Sequence, residues 1–266
     1  MQQIKLSGNQ SITKVAKTYQ FDVFYEREIK MWNENPKYKG IPLHAYMYLN
    51  RYKYIGKTPQ ELSRAEIMRG FKIAGILRGY TVFNNKLMQE FIDKYHPESI
   101  YDPCAGWGER ILTAFKNDVA YLGVDINVKL QDGYEKMIKD YNMQKQSFVV
   151  GDASLYNINT VYDTVLTCPP YWHTEIYSDC GAENLGYREF LKWWDKVVEM
   201  CGVKLPRYFV FQINDKYRDD MGQIVENHGY KLIDELYYES VQSSHFTRRN
   251  GKNSKKEYEV MLVFSR

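Results

Sequence analysis

The sequence predicts an α/β protein built on a mostly parallel, seven-stranded sheet that ends in a C-terminal antiparallel hairpin, preceded by a mainly helical, basic N-terminal region. Two observations carry this prediction. From residue 98 onward, short apolar runs alternate with helical patterns, which is typical of parallel strands covered by helices on both faces. The last two apolar runs have no helical pattern between them, which indicates a hairpin at the sheet edge.

The elements follow in order along the chain. A helix is expected to begin at Thr58, because Glu61 completes a capping box with it. Lys86–Tyr95 is an amphipathic helix closed by Pro97. The predicted strands are Ser99–Asp102, Tyr121–Asp125, Ser147–Val150, Asp163–Thr167, Tyr208–Ile213, Lys231–Ser240 and Glu257–Phe264. The predicted helices between them are Glu109–Phe115, Lys129–Tyr141, Tyr187–Met200 and Tyr217–Asn227.

Charge is distributed unevenly over the 266 residues, whose formal net charge is +3. Residues 1–80 carry a net +8, whereas residues 81–266 carry a net −5. We therefore expect two regions, a mainly helical basic region at 1–80 and an α/β domain at 81–266. A basic region of this kind favours a polyanionic partner such as a nucleic acid.

Composition argues against several other classes of protein. No stretch approaches the roughly 18 uncharged apolar residues of a membrane span, and Met1–Lys14 lacks an apolar signal core. The four cysteines are sparse and form no CxxC pair, so we expect neither a disulfide scaffold nor a metal site. A reducing cytoplasm is the expected location.

The first three predicted strands each end in a carboxylate. The first runs into Asp102–Gly108 (DPCAGWG), where Gly106 and Gly108 allow the backbone to approach a ligand closely. Neither a P-loop nor a complete GxGxxG motif is present. Asp125 can accept both hydroxyls of a ribose, and Asp152 can accept a hydrogen bond from an adenine amino group. Each aspartate alone fits a helix cap equally well, but three at successive strand ends favour a ligand site.

The fourth strand runs into the segment Cys168–Trp172 (CPPYW). Its two prolines fix the backbone and remove two N–H donors, which leaves carbonyls to accept hydrogen bonds from an amino group. Tyr171 and Trp172 offer aromatic faces. This pattern is typical of a pocket for a planar ring that bears an amino group.

These segments resemble class I S-adenosylmethionine-dependent methyltransferases, specifically the phage and bacterial DNA amino-methyltransferases, over about residues 80–266. Asp102–Gly108 matches the DPxxGxG turn of that family, and Pro169–Tyr171 matches the tail of its (D/N/S)PPY catalytic motif. Tyr171–Asp179 resembles the loop that follows the motif in a phage subset. Thr81–Asn85 resembles the cofactor-contacting segment upstream of the glycine-rich turn.

The resemblance implies a Rossmann-like methyltransferase fold, S-adenosylmethionine as cofactor and no metal. The reaction it implies is methylation of cytosine N4 or adenine N6 on a base flipped out of duplex DNA. The implied setting is the cytoplasm of a bacterial or phage-infected cell. Target recognition is expected from the N-terminal third, the loop after Tyr171 or the basic segment 241–256. Cys168 follows Asp102 by only 66 positions, which leaves no room for a recognition domain between them.

The resemblance also assigns the candidate site residues, with Asp102 on the methionine amino group, Asp125 on the ribose and Asp152 on the adenine. The expected cofactor-binding residues are Phe83, Asn84, Asp102, Cys104, Ala105, Gly106, Gly108, Asp125, Ile126, Asp152 and Ala153. The expected catalytic residues are Cys168, Pro169, Pro170 and Tyr171. The expected nucleic-acid-binding residues are Trp172, His173, Arg248, Arg249 and Lys252.

One position departs from the family pattern, because Cys168 stands where Asp, Asn or Ser is usual. A thiol is a poor acceptor, and the size of cysteine, nearest to serine, favours cytosine N4 as the target. A nucleophilic Cys168 is disfavoured, since enzymes that methylate the cytosine ring carbon carry Pro-Cys rather than Cys-Pro-Pro. Two alternatives stay open: an RNA or protein amino-methyltransferase, and a nucleic-acid-binding module with impaired catalysis.

Overall fold

The computed structural model describes residues 11–34, 61–64, 66–67, 83–172, 182, 185–240 and 257–266. These residues fall into two compact units. The larger unit contains the described parts of Met1–Gln20, Val82–Val241 and Lys256–Arg266, and the smaller unit contains those of Phe21–Thr81. Within these ranges, no helix is long and apolar enough to cross a membrane.

The larger unit is built on seven strands in the order β3-β2-β1-β4-β5-β7-β6. Their bounds are β1 Ser99–Asp102, β2 Ala120–Asp125, β3 Gln146–Val150, β4 Thr164–Thr167, β5 Tyr208–Asn214, β6 Lys231–Ser240 and β7 Glu257–Ser265. Strands β1 to β5 are parallel, whereas β7 pairs antiparallel with both β5 and β6. The predicted fold class is confirmed, and every strand lies within one residue of its predicted bounds.

Helices cover both faces of this sheet. Their bounds are α1 Ile12–Tyr19, α3 Asn85–Tyr95, α4 Glu109–Lys116, α5 Gln131–Asp140, α6 Tyr187–Gly202 and α7 Arg218–Asn227, and the smaller unit contains α2, Phe21–Glu34. The predicted helix Lys129–Tyr141 is corrected in one respect, because Val128–Leu130 forms a separate 3-10 turn ahead of α5. Asn127 caps that turn by accepting a hydrogen bond from the Lys129 amide at 3.2 Å.

The core of the sheet is aromatic. Trp194 of α6 is fully buried, and its ring meets Phe209 and Phe211 of β5 edge-on at 5.9 and 5.1 Å. Burial of each such side chain contributes roughly 1.5–3 kcal/mol, and edge-to-face geometry adds to it. This packing fixes the position of β5 beside β4, whose carboxyl end carries the CPPYW segment.

Helix α1 packs against α4 and α5. The side-chain amide of Gln20, just after α1, donates to the Leu130 carbonyl at 3.2 Å. The same amide lies against Gly133, where an added Cβ would come 2.5 Å from Gln20 Oε1, so a larger residue there would displace the Gln20 side chain. Residues 12–20, which belong to the basic N-terminal region of the sequence, thus pack on the larger unit.

In the smaller unit, the predicted helix start at Thr58 lies outside the described residues and stays a prediction. A capping box is formed by Ser63 and Glu66: Ser63 N donates to Glu66 Oε2 at 2.8 Å, and Glu66 N donates to Ser63 Oγ at 3.3 Å.

Candidate active site

The strand order places the candidate site at the switch point of the sheet. Connections from β1 lead to β2 on one side, whereas β4 lies on the other side of β1. Ligands of open α/β sheets bind beyond the carboxyl ends of the strands at such a point. Asp102 ends β1 and Thr167 ends β4, so the DPCAGWG turn and the CPPYW segment leave the sheet side by side.

Two glycines shape the turn after β1. Gly106 and Gly108 have φ angles of +60° and +101°, which disfavour residues with a Cβ. A Cβ on Gly108 would also lie 2.6 Å from Met137 Cε of α5. The turn therefore stays close to α5 and leads directly into α4 at Glu109, whose first amides point toward the turn.

The neighbouring elements hold this turn by hydrogen bonds. Ala105 N donates to the Val124 carbonyl at 2.9 Å, and Gly106 N donates to Asp125 Oδ2 at 2.8 Å. From α5, the Tyr134 hydroxyl donates to the carbonyls of Ala105 and Gly106 at 2.8 and 3.0 Å. The turn is thus preorganised by β2 and α5.

Asp102 is fully buried and saturated with hydrogen bonds. Its Oδ2 accepts from Arg110 Nε at 2.5 Å and from the Tyr121 hydroxyl at 2.6 Å. Its Oδ1 accepts from Thr167 Oγ1 at 2.8 Å and from Cys104 N at 3.2 Å. A carboxylate has about four lone-pair positions, so no acceptor position of Asp102 is left for the amino group of a ligand. Asp102 instead joins the end of β4 to the turn after β1.

The other two strand-end aspartates are half-buried. Asp125 accepts from Gly106 N and from Asn127 N at 2.9 Å, one bond on each oxygen, and burial raises the pKa of its carboxyl to about 6. Asp152 accepts from the amide and hydroxyl of Ser154 at 2.9 and 2.7 Å, both on Oδ1. Each therefore retains acceptor capacity for a ligand.

Two apolar residues follow these aspartates. Ile126, after β2, has 41% of its surface exposed, whereas Ala153, after β3, is buried. An exposed isoleucine beside a strand-end carboxylate offers an apolar surface to a planar ring.

All five residues of the CPPYW segment are buried or half-buried. Pro169 is buried, Cys168 and Pro170 are half-buried, and Tyr171 is only 4% exposed. The Cys168 thiol donates to the Tyr171 hydroxyl over 4.0 Å, a weak contact. Tyr171 also belongs to the buried hydrophobic cluster of the larger unit.

Trp172 belongs to an aromatic cluster with Tyr187 and Tyr217. Its indole N–H donates to the Leu185 carbonyl at 2.8 Å, and its own carbonyl accepts from the Tyr217 hydroxyl at 2.8 Å. The rings of Trp172 and Tyr187 lie 4.8 Å apart, and Tyr187 in turn donates to Asp220. These contacts tie the end of the CPPYW segment to α6 and to the start of α7.

Four of the predicted nucleic-acid-binding residues lie outside the described residues: His173, Arg248, Arg249 and Lys252. Their role stays a prediction from the sequence.

The sequence analysis missed two charged residues of the site. Glu109, at the start of α4, is 3% exposed, its Oε1 has no hydrogen-bond partner, and burial raises its pKa to about 7. Arg110 is buried beside Asp102, and its guanidinium lies 4.6 Å from the centre of the Phe83 ring. In sequence, both read as the polar first turn of a helix, so no signal marked them.

Comparisons with known proteins bear on the fold. TrmN from Thermus thermophilus matches with a TM-score of 0.50 and 16% identity over 75% of this chain, and the chain spans about half of that protein, 53%. A Clostridium acetobutylicum S-adenosylmethionine-dependent methyltransferase matches with a TM-score of 0.46 and 11% identity, over 68% of this chain and 89% of that one. M. jannaschii TYW2 matches with a TM-score of 0.46 and 16% identity, over 72% of this chain and 80% of that one. No protein-family model and no curated protein sequence matches the chain.

The class of fold follows from the strand order and the match to TrmN. A mixed seven-stranded sheet of this order, with an antiparallel pair at its C-terminal edge, is the class I, Rossmann-like methyltransferase fold. At 16% identity the similarity to TrmN concerns the fold, so activity has to be argued from the residues of the site.

Proposed function

We propose that the chain transfers a methyl group from S-adenosylmethionine to an exocyclic amino group of a flipped base in DNA. The observation that carries the proposal is a hydrogen bond between the end of β4 and the start of the glycine-rich turn. Thr167, immediately before the CPPYW segment, donates to Asp102 at the head of the glycine-rich turn at 2.8 Å. A segment suited to a methyl acceptor thus lies beside a turn suited to the methyl donor.

The residues present fit this cofactor. Asp125 retains acceptor capacity for ribose hydroxyls, and Asp152 retains Oδ2 for the adenine amino group. Ile126 supplies apolar surface for the adenine ring. The turn with positive φ angles at Gly106 and Gly108 allows the backbone to approach the rest of the cofactor closely.

The chain contributes position and electrostatics to the reaction. The carbonyls of Cys168 and Pro169 accept the amino protons of the base, which raises the electron density on its nitrogen. Tyr171 stacks on the ring and holds its plane. S-adenosylmethionine, which Asp125 and Asp152 would hold, would supply an electrophilic methyl carbon with a neutral thioether as its leaving group, and the base would lose one amino proton to solvent.

DNA is the proposed substrate because of sequence features around the site. Residues 1–80 carry a net +8, and the segment 241–256 contains the basic residues Arg248, Arg249 and Lys252. Such charge suits phosphate contacts. The CPPYW segment resembles the motif of enzymes that act on flipped DNA bases.

Nucleoside mass spectrometry tests this proposal. DNA and RNA from cells that express the chain are digested to nucleosides, and cells that express the Asp125→Ala variant provide the matched control. The expected result is N4-methylcytosine or N6-methyladenine in DNA from wild-type cells alone. Methylated nucleosides confined to RNA, or methyl on the cytosine ring carbon, would overturn the proposed substrate or mechanism.

Tyr171→Ala is expected to lower the methylation rate because it removes the stacking face. The loss should be about 1–3 kcal/mol, or about 5- to 150-fold in kcat/KM. The affinity for S-adenosylhomocysteine should stay near wild type, since its anchors lie on other strands. Steady-state kinetics and calorimetry measure the two effects separately.

Two matched variants control for the burial of Tyr171. Tyr171→Phe keeps the ring and should retain the rate, whereas Tyr171→Leu fills the space without a π-face and should behave like alanine. Equal rates for the Phe and Leu variants would show that stacking is not the role of this residue.

A further inference from the structure

Arg110 is a buried cation whose hydrogen bonds are only partly used. Its Nε donates to Asp102, and its Nη2 donates to the Cys104 carbonyl. Its third nitrogen, Nη1, makes no hydrogen bond with any described residue. Nη1 is not fully enclosed by other atoms, so the small surface that Arg110 exposes includes this atom. The guanidinium therefore presents one donor edge outward.

The two partners of the Asp102–Arg110 ion pair differ in their exposure to solvent. Asp102 is completely buried and its acceptor positions are all used, whereas Arg110 retains 5% side-chain exposure. The partner that faces the site is thus the cation. A cation at this position repels the amino group of a ligand and attracts a carboxylate.

Arg110 lies where three segments of the site meet. A Cβ on Gly106 would be 3.7 Å from its Nη2, which places the guanidinium beside the glycine-rich turn. One face of the guanidinium covers the Phe83 ring at 4.6 Å. Through Asp102, which also accepts from Thr167 Oγ1 at 2.8 Å, Arg110 is linked to the end of β4 that precedes the CPPYW segment.

A second unused donor lies next to Phe83. Asn84 caps α3 through its side-chain oxygen, which accepts from Lys86 N at 3.1 Å, but its buried Nδ2 has no partner. A buried amide N–H₂ without a partner costs roughly 1–3 kcal/mol and indicates a missing acceptor. Arg110, which lies over the Phe83 ring, and Asn84, which follows Phe83 in sequence, thus both offer unpaired N–H groups.

We infer that Arg110, with Asn84, binds the carboxylate of the methionine part of S-adenosylmethionine. The inference rests on the proposed function: with the adenosine at Asp125 and Asp152 and the methyl directed at the CPPYW segment, the methionine part lies along the glycine-rich turn, next to Arg110. Asp102 is then a positioning residue that fixes the guanidinium, and the methionine amino group binds elsewhere.

Ligand pairs test the inference on the intact protein. The affinities of S-adenosylhomocysteine, of its decarboxylated analogue, which keeps the amine, and of 5′-methylthioadenosine, which lacks both groups, are measured by calorimetry. Wild-type protein should bind S-adenosylhomocysteine about 10- to 100-fold more tightly than the decarboxylated analogue, as loss of a charged hydrogen bond requires.

The variants locate that preference. Asn84→Asp keeps the helix cap but replaces the N–H₂ donor with an acceptor, and the double variant Asp102→Asn/Arg110→Gln removes both charges without leaving one unpaired. Both should lose most of the preference for the carboxylate, whereas their affinity for 5′-methylthioadenosine should stay within about twofold of wild type. Asn84→Asp keeps the test available if the double variant does not fold.

The outcomes separate this inference from the proposed function. If wild-type protein binds neither S-adenosylhomocysteine nor 5′-methylthioadenosine, the proposed function itself fails. Two outcomes would leave the cofactor site intact but show that Arg110 and Asn84 do not bind the carboxylate. In the first, wild-type protein binds S-adenosylhomocysteine and the decarboxylated analogue equally well. In the second, the variants lower the affinity for these two ligands to the same extent.

Discussion

Replacing Asp102 with alanine is expected to destabilise the larger unit by about 3–5 kcal/mol, the usual cost of removing one partner of a buried ion pair. The change leaves Arg110 as an uncompensated buried charge. It also leaves the hydroxyls of Tyr121 and Thr167 without their acceptor. Urea unfolding, followed by far-ultraviolet circular dichroism, measures the loss as a lower midpoint at unchanged slope.

Asp152→Ala is the matched control, because Asp152 is half-buried and, among the described residues, its carboxylate bonds only to Ser154. It should cost about 1 kcal/mol. The double variant Asp102→Ala/Arg110→Met should recover part of the loss, because no buried charge remains. If Asp102→Ala costs no more than Asp152→Ala, the network around Asp102 does not organise the site.

Glu109→Gln is expected to stabilise the protein at pH 8 by about 3 kcal/mol. Burial raises the pKa of Glu109 from 4.5 to about 7, and the nearby cations Arg110 and Lys17 offset this only in part. Between these two pH values the folded state holds a proton that the unfolded state has lost, so stability falls as pH rises through this window. The full penalty, set by the difference between pKa values of 4.5 and about 7, applies above pH 7.

The difference in unfolding free energy between Glu109→Gln and wild type should therefore be under about 1 kcal/mol at pH 5 and grow to its full size by pH 8. Taking the difference cancels the similar pH dependence contributed by Asp125, whose pKa is also raised. Glu135→Gln on the exposed side of α5 is the control and should show no such growth. A Glu109→Gln effect that does not change with pH would show that Glu109 is solvated in the folded protein.

The backbone of the larger unit could be predicted closely from the sequence because its signals are local. Most of the strands are short apolar runs, and helical patterns or turn residues bound them. The CPPYW segment and the strand-end aspartates could be placed at one edge for the same reason, since parallel strands bring their carboxyl ends together.

The partners of the site residues could not be predicted, because they depend on contacts between distant parts of the chain. Asp102 is an example: its type and position suggest a ligand contact, but four donors from β2, the turn, α4 and the end of β4 occupy its oxygens. Arg110 and Glu109 are adjacent in sequence, yet one is paired and the other has an oxygen without a partner. Sequence spacing contains no information on which of the two meets an opposite charge.

Binding of S-adenosylhomocysteine to wild-type protein and to Asp125→Ala tests the central claim most directly, because the claim requires a cofactor site at the ends of β1, β2 and β3. The account predicts one molecule bound per chain, with an affinity that falls by about 1.5–3 kcal/mol, or about 10- to 150-fold, when the carboxylate that accepts the ribose hydroxyls is removed. No heat of binding with wild-type protein, or an equal affinity for the two proteins, would contradict it.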